Sequence, residues 1–256
     1  MLNQTSIESY FPENERKFKR GILREYMQCK ILELIFDSPY ADKLVFLGGT
    51  AVRIVHDSRR FSEDLDFDNL GLDATAFDAL ADRIKTGLER SGLRVEIRTI
   101  HKRTYRIYLK ISDVLFANGI SPMANEKLMI QIDAAPQGFD YAKQRVLLKK
   151  FDVLTQIFVV PIDLLLAQKI VAALDRKRAK GRDFFDIVFL WNKTKPDYKY
   201  LEEKLDIRDQ AALKSAFRKR ISSLDMESLS VDAEPFLIDP TGDKKIRLFR
   251  EFAESL

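Results

Sequence analysis

The sequence of 256 residues has few of the features that mark secreted and membrane proteins. Its one cysteine, Cys29, can form no internal disulfide, so we expect a reducing, cytoplasmic setting. No apolar run approaches the roughly 20 residues that a membrane span needs, so no membrane association is expected. The first residues, MLNQTSIESYFPENERKFKR, have no apolar segment after their basic residues and do not resemble a secretory signal.

Glycine, proline and histidine are also scarce, at 10, 8 and 2 residues. With 46% hydrophobic and 32% charged residues, the composition excludes disordered and collagen-like chains and allows a large core. His56 and His101 fall in no metal-ligand spacing, which disfavours a histidine-based metal phosphohydrolase.

Basic residues are concentrated in two short stretches, although the formal net charge is only +4. One stretch runs from Arg176 to Arg182, and the other is Arg218-Lys219-Arg220. Such clusters suit the binding of a polyanion, and they suit a solvated helical face about equally well.

Hydrophobic periodicity predicts strands mixed with helices before Pro161 and helices alone after it. The predicted strands are Leu44–Leu47, Asp64–Asp68, Leu93–Thr99, Tyr105–Ile111 and Lys127–Ala134. The predicted helices are Ser9–Asp37, Thr50–His56, Asp73–Ser91, Ile162–Arg178, Asp183–Lys193, Tyr198–Leu205, Arg208–Ser222 and Asp243–Glu254. We therefore expect an α/β (α+β) fold in two parts, a mixed-sheet core over residues 1–160 and a helical C-terminal domain over residues 161–256.

Asp64 and Asp66 form a pair of carboxylates on the second predicted strand. Residues i and i+2 of a strand point to the same face, so these side chains would lie side by side while Leu65 and Phe67 enter the core. Adjacent carboxylates repel each other, and a divalent cation offsets the repulsion. Mg²⁺ is commonly held by one or two carboxylates plus substrate phosphates. The alternative is a pair of edge-strand aspartates that face water.

A glycine turn, Gly48-Gly49-Thr50, lies between the first predicted strand and a short helix. Its backbone N–H groups are free to bind a phosphate, and the Thr50 hydroxyl can add a hydrogen bond. The alternative is an ordinary strand-to-helix turn with a threonine cap. The turn and the paired carboxylates together favour a site for a nucleoside triphosphate.

Asp133 is the third acidic candidate. It lies on a predicted strand whose opposite face is apolar, and it shares its own face with Gln131. Two-metal nucleotidyl transfer uses carboxylates from neighbouring strands, so Asp133 would be a further metal ligand beside Asp64 and Asp66. The alternative is an ordinary aspartate at a strand end.

A second constellation follows Pro161. Lys169 lies among apolar residues of a predicted helix, where it can direct its charge to a phosphate or extend to water. Asp183 and Asp186 are neighbours on one helix face. Asp183 can serve catalysis or complement the helix start, and Asp186 can pair with Arg182 or another basic residue.

These residues resemble a known family. Gly48-Gly49-Thr50-Ala51, followed by Arg60-Phe61-Ser62-Glu63-Asp64-Leu65-Asp66-Phe67, is similar to the first motif of the AbiEii-type nucleotidyltransferases, which include the MenT toxins. Gln131-Ile132-Asp133, Gln168-Lys169 and Arg182-Asp183-Phe184-Phe185-Asp186 resemble the later motifs of that family, in the same order.

The resemblance implies a polymerase-β-like nucleotidyltransferase core and transfer of a nucleoside monophosphate from an NTP, with release of pyrophosphate. Asp64 and Asp66 would hold Mg²⁺ or Mn²⁺, while Thr50, Ser62 and Arg53 would contact phosphates. Lys169 would bind the triphosphate, and Asp183 would complete the catalytic set.

The resemblance also implies a biological role. Family members that act as toxins of toxin–antitoxin pairs modify the 3′ end of tRNA, so we expect an RNA acceptor and a cognate antitoxin. Two alternatives remain open from the sequence. The chain could nucleotidylate a protein, or it could be a non-catalytic regulator that retains the nucleotide pocket.

Overall fold

A seven-stranded mixed sheet organises the first part of the chain in the computed structural model, which describes residues 2–256. The strand order is β3-β4-β5-β2-β1-β7-β6. The β2–β5 and β1–β7 pairs are parallel, and the other neighbours are antiparallel. The strands are β1 Leu44–Leu47, β2 Leu65–Asn69, β3 Arg94–His101, β4 Tyr105–Ser112, β5 Leu128–Ala135, β6 Gln144–Lys150 and β7 Val153–Val159.

Twelve α-helices accompany the sheet over the described residues. Those before β7 are α1 Gln4–Glu8, α2 Lys19–Phe36, α3 Gly48–Ile54, α4 Ala74–Arg90 and α5 Val114–Ala117. Those after it are α6 Ile162–Asp175, α7 Gly181–Trp191, α8 Tyr198–Leu205, α9 Gln210–Ile221, α10 Met226–Ala233, α11 Lys244–Arg247 and α12 Phe249–Glu254. Short 3₁₀ helices are Glu13–Glu15, Ala41–Lys43, Glu234–Phe236 and Pro240–Asp243. None of the helices over residues 2–256 is long and apolar enough to cross a bilayer.

Apolar and polar side chains alternate along β2 and its neighbouring strands, so this part of the sheet has one apolar and one polar face. Phe67 contacts Phe36 of α2, with ring centroids 6.2 Å apart, and Tyr105 contacts Phe77 of α4 at 5.4 Å. Because side chains alternate along a strand, Asp66 points to the opposite face. We call that side, opposite α2 and α4, the polar face of the sheet.

The chain forms two compact units, and the change from sheet to helices near residue 160 separates them. The first unit contains the described residues up to Val55 together with Ser62–Val159. The second contains Val160–Leu256 and also His56–Phe61, a segment that the sequence assigned to the first part. Backbone hydrogen bonds explain that difference, since Phe61 N–H donates to the Phe236 carbonyl at 2.8 Å and Ile238 N–H donates to the Arg59 carbonyl at 3.1 Å.

The predicted fold class is confirmed, with a mixed sheet and helices. Several elements differ from the prediction. The first long helix begins at Lys19 and not at Ser9, because Pro12 interrupts the earlier segment. The β6–β7 hairpin and α10 were not predicted, and the last predicted helix is divided into shorter segments.

Gly181, at the start of α7, allows close packing within the second unit. A Cβ at this position would lie 1.8 Å from the Leu229 carbonyl oxygen in α10, a backbone atom that cannot move alone. We expect Gly181→Ala to lower the free energy of unfolding by about 1–3 kcal/mol, as overpacking does. Urea unfolding followed by the fluorescence of Trp191, the only tryptophan, measures this change.

Gly242→Ala is the matched control in the same unit. There the new Cβ would meet only side-chain atoms, the nearest being Phe185 Cε2 at 3.1 Å. A smaller loss is expected, and equal losses in the two variants would contradict the assigned role of Gly181.

Candidate active site

Gly48 holds the backbone directly against the carboxylate of Asp66. The antiparallel register places Leu47 opposite Asp66, so the turn that follows β1 meets this side chain. Gly48 has φ +78°, and a Cβ built on it would lie 2.2 Å from Asp66 Oδ2. Glycine is therefore needed here both for its backbone conformation and for its missing side chain.

Thr50 fixes the segment that leads into β2. Its side chain is 0% exposed, and its hydroxyl donates a hydrogen bond to the carbonyl oxygen of Asp64. The resemblance assigned this hydroxyl to a phosphate. Since it is buried and already donates to the backbone, we assign Thr50 to positioning Asp64 instead.

Arg24 and Gln28 of α2 also hold this segment, and neither was predicted from the sequence. They are four residues apart and therefore share a helix face. Gln28 Nε2 donates to the carbonyls of Ser62 at 3.1 Å and Glu63 at 2.9 Å. The Arg24 guanidinium donates to the Glu63 carboxylate at 3.2 Å. Burial lowers the pKa of Arg24, although the nearby charges of Glu63 and Asp64 act to raise it. Two polar residues four positions apart on a largely apolar helix were the sequence pattern that could have predicted this contact.

Asp133 lies beside Asp66 on the polar face of the sheet, as the sequence predicted for neighbouring strands. The parallel β2–β5 register pairs the two residues directly. Arg106 of β4, the cross-strand neighbour of Asp133, donates to both of its carboxylate oxygens at 2.7 and 2.8 Å. Gln131 Nε2 lies 3.1 Å from the same two oxygens.

Asp64, Asp66 and Asp133 are the metal ligands predicted from the sequence. Over residues 2–256, no group of three or more His, Cys, Asp or Glu side chains is arranged to hold a metal ion. Asp64 directly precedes β2, Asp66 lies within it, and Asp133 is paired with Arg106. Carboxylates such as Asp64 and Asp66 are ligands that Mg²⁺ prefers, together with water and substrate phosphates.

Arg53 has a structural role, which corrects its assignment to a phosphate. Its side chain is 4% exposed, and its Nε donates to Glu25 of α2 at 2.7 Å. Lys150 forms a second ion pair with Glu25, whose side chain is 1% exposed. A buried carboxylate needs such partners, so Arg53 stabilises the packing of α2 on the unit.

The second unit contains a buried network of charged side chains around Lys169. The ammonium of Lys169 lies 2.9 Å from Asp186 and 3.4 Å from Asp183. Arg60 donates to both carboxylate oxygens of Asp186 at 2.6 and 2.5 Å. Arg176 lies 3.0 Å from Asp183 in an ion pair without hydrogen-bond geometry. Three cations and two carboxylates give this network a net charge of +1.

Asp186 is 0% exposed and remains ionised because of its cationic neighbours. Burial alone would raise its pKa, but Arg60 and Lys169 outweigh that effect, so the pKa of Asp186 is lowered. The sequence left open Arg182 or another basic residue as the partner of Asp186, and the partners found are Arg60 and Lys169. The Arg182 guanidinium instead lies over the Phe236 ring, 3.9 Å from its centroid.

Comparisons with known proteins connect this chain to nucleotidyltransferases. Residues 30–254 match the model of a family described as the nucleotidyl transferase AbiEii toxin of type IV toxin–antitoxin systems. The fold is similar to the crystal structure of JHP933 from Helicobacter pylori, with a TM-score of 0.55 and 17% identity over 92% of this chain and 90% of that one. A candidate nucleotidyltransferase from H. pylori gives a TM-score of 0.50 and 18% identity over 92% of this chain and 96% of that one. No curated protein matches the sequence.

The Arg60–Asp186 pair should be essential for the stability of the second unit. Arg60→Gln leaves the Asp186 carboxylate buried without its main partner, and we expect the free energy of unfolding to fall by about 3–5 kcal/mol at neutral pH. Arg59→Gln, a change at the exposed neighbouring residue, is the matched control. Trp191 fluorescence during urea unfolding measures both variants.

The effect of Arg60→Gln should also depend on pH. Since the pKa of Asp186 is lowered in the folded protein, its contribution is present above the unfolded value of about 3.9 and is lost as the pH falls through the folded value. The difference between wild type and Arg60→Gln should therefore shrink below about pH 4. A difference that stays constant would show that the pair contributes through packing alone.

Proposed function

The chain belongs to the AbiEii family of nucleotidyl transferase toxins, and on that premise we propose that it transfers a nucleoside monophosphate from an NTP to an RNA, at the 3′ end of a tRNA. Pyrophosphate is the leaving group. Membership of the family makes the chain a nucleotidyltransferase and suggests an antitoxin as its partner. The metal and the RNA acceptor are parts of this proposal.

The contact between Gly48 and Asp66 is the observation that carries the proposal. A turn without a side chain brings backbone N–H groups next to a carboxylate, so a phosphate and a cation can be bound side by side. We assign the NTP phosphates to the Gly48-Gly49 turn and to Ser62, as the resemblance implies. Asp64 and Asp66 are the assigned metal ligands.

Mg²⁺, when bound, would stabilise charge on the phosphates and lower the pKa of the attacking hydroxyl. The chain's own residues hold Asp64 and Asp66 in place. Thr50 and Gln28 fix the backbone before β2, and Gly48 limits the orientations open to the Asp66 carboxylate. Arg106 sets the orientation of Asp133, which the sequence predicts as a further metal ligand beside Asp64 and Asp66.

Lys169 and Asp183 are assigned to the triphosphate and to the catalytic set, as the family motifs imply. The side chain of Lys169 is 12% exposed, and its network carries a net positive charge, which suits a phosphate. Asp183, which is 4% exposed, orients the ammonium of Lys169 through their contact.

Exposed cations in the loop between α6 and α7 support an RNA acceptor. Lys177, Arg178 and Lys180 are exposed, whereas Arg176 is paired with Asp183 and Arg182 lies against Phe236. Cations of this kind bind a polyanion through its phosphates. We therefore assign Lys177, Arg178 and Lys180 to the RNA backbone.

Asp66→Asn tests the proposed chemistry, because it removes the charge and preserves the shape. We expect transfer of label from an α-labelled NTP to total RNA to fall by about a hundredfold or more, in line with the loss of electrostatic stabilisation at a reacting phosphate. Asp82→Asn, the same change at an exposed position of α4, should leave transfer unchanged. Each of the four NTPs is assayed with total RNA and with total protein.

The acceptor is tested in the same experiment. Label in RNA that depends on Asp66 supports the proposal, whereas label in protein alone would replace the RNA acceptor with a protein one. Full activity in Asp66→Asn would contradict the assigned site.

A further inference from the structure

Beyond Asp133, the polar face of the sheet continues across two more strands. The antiparallel registers of β5, β4 and β3 align their side chains in rows. The first row is Asp133, Arg106 and Ile100, the second is Gln131, Tyr108 and Arg98, and the third is Met129, Lys110 and Glu96. Alternation keeps all three rows on the side of the sheet that carries Asp66.

This part of the polar face combines cations with exposed apolar and aromatic groups. Arg98 and Lys110 are exposed, and Met129 is 51% exposed. The half-buried ring of Tyr108 lies 5.8 Å from the Arg106 guanidinium, whose Nη1 donates to the Tyr108 hydroxyl at 3.3 Å. Arg98 has no ion-pair partner among residues 2–256, so its charge is available to a ligand.

The balance of charge on the same surface is positive. Its four cations are Arg98, Arg106, Lys110 and Lys127, and its two carboxylates are Glu96 and Asp133, which gives a net charge of +2. Both carboxylates are neutralised locally, Glu96 by Lys127 and Asp133 by Arg106. Lys102 and Arg103, in the turn between β3 and β4, are exposed at the end of this surface.

We propose that Arg98, Tyr108, Lys110 and Met129 form an acceptor face that binds the single-stranded 3′ end of the RNA substrate. This inference rests on the proposed function, because it names the part of the chain that the acceptor contacts. Arg98 and Lys110 bind phosphates, while Tyr108 and Met129 contact a base or ribose. Aromatic groups beside cations are the usual features of surfaces that bind single strands.

The location of the face relative to Asp133 supports this occupant. An acceptor hydroxyl must reach the carboxylates on β2 and β5, and the acceptor face lies on β5 itself and on the two strands that follow it in the sheet, β4 and β3. From the strand spacing, Arg98 lies about 12 Å from Asp133, a distance that a few nucleotides can span. A protein acceptor would present one side chain to the site and would not need a row of separated cations.

The test compares two pairs of exposed cations on the same sheet. Full-length protein carrying Arg98→Gln and Lys110→Gln is titrated against a fluorescently labelled single-stranded RNA ending in CCA, at several salt concentrations. The control carries Arg145→Gln and Lys149→Gln, which removes the same charge from β6 at the opposite edge of the sheet. Fluorescence anisotropy gives the Kd values.

We expect the first pair to weaken RNA binding about tenfold or more near 0.1 M salt and to reduce the slope of log K against log salt by about 1.4, as the loss of two phosphate contacts requires. The control should remain within about twofold of wild type. Tyr108→Ala should weaken binding further than Tyr108→Phe, because only the latter keeps the ring.

NTP binding is measured on the same samples, so that the proposal of the acceptor face and the proposed function can be contradicted independently. Three results would overturn the acceptor face, whatever the NTP result. The two double variants could weaken RNA binding equally, the control variant could weaken it more, or the wild-type protein could fail to bind RNA. An RNA-binding defect confined to Arg98→Gln/Lys110→Gln, with NTP binding intact, would support it. If the wild-type protein binds no NTP, that result would instead count against the proposed function.

Discussion

The buried ion pair between Arg60 and Asp186 is the interaction on which the second unit depends. With side chains 2% and 0% exposed, neither charge can remain buried at this position without the other. The two residues are 126 positions apart, and their contact helps to hold the segment His56–Phe61 in the same unit as α7. Lys169 shares the carboxylate of Asp186, so the pair also sets the direction of the one cation that the family motifs assign to the triphosphate.

The first unit fixes its carboxylates by several independent contacts. Arg106 binds Asp133 through two hydrogen bonds. Asp68 accepts hydrogen bonds from the Tyr141 hydroxyl at 2.7 Å and the Gln137 backbone N–H at 2.9 Å, and burial together with Asp68 raises the pKa of Tyr141. Asp66 is positioned differently, since the Gly48 backbone packs against its carboxylate. This contact restricts the orientations that the Asp66 carboxylate can adopt.

Local pattern predicted the elements of this fold well, whereas the partners of charged residues could not be predicted. Alternation located β2 and β5, and the register brings Asp66 beside Asp133 as expected. The β6–β7 hairpin was missed because Leu147 and Leu154 are 58% and 63% exposed, so apolar residues there do not mark one buried face. Arg53 resembled a phosphate contact because its partner Glu25 lies in a helix that gave no sign of a buried carboxylate. Similarly, nothing near Asp186 in the sequence points to Arg60. Such pairs depend on tertiary distance, which periodicity does not encode.

The cations of this chain divide into those that position a carboxylate and those that the fold leaves exposed. Arg60, Arg53 and Arg106 are of the first kind, and their removal would take one cationic partner from a carboxylate. Arg98 on β3 and Lys177, Arg178 and Lys180 before α7 are of the second kind. Exposed ion pairs contribute only about 0–1 kcal/mol even when they form, so stability does not account for the placement of these residues. A triphosphate needs only a few close charges, the role that we propose for Lys169, whereas affinity for a nucleic acid grows with the number of separate phosphates neutralised. Our proposal of two polyanionic ligands, a nucleotide and a longer RNA, assigns the compact charge network to the first and the dispersed exposed cations of each unit to the second.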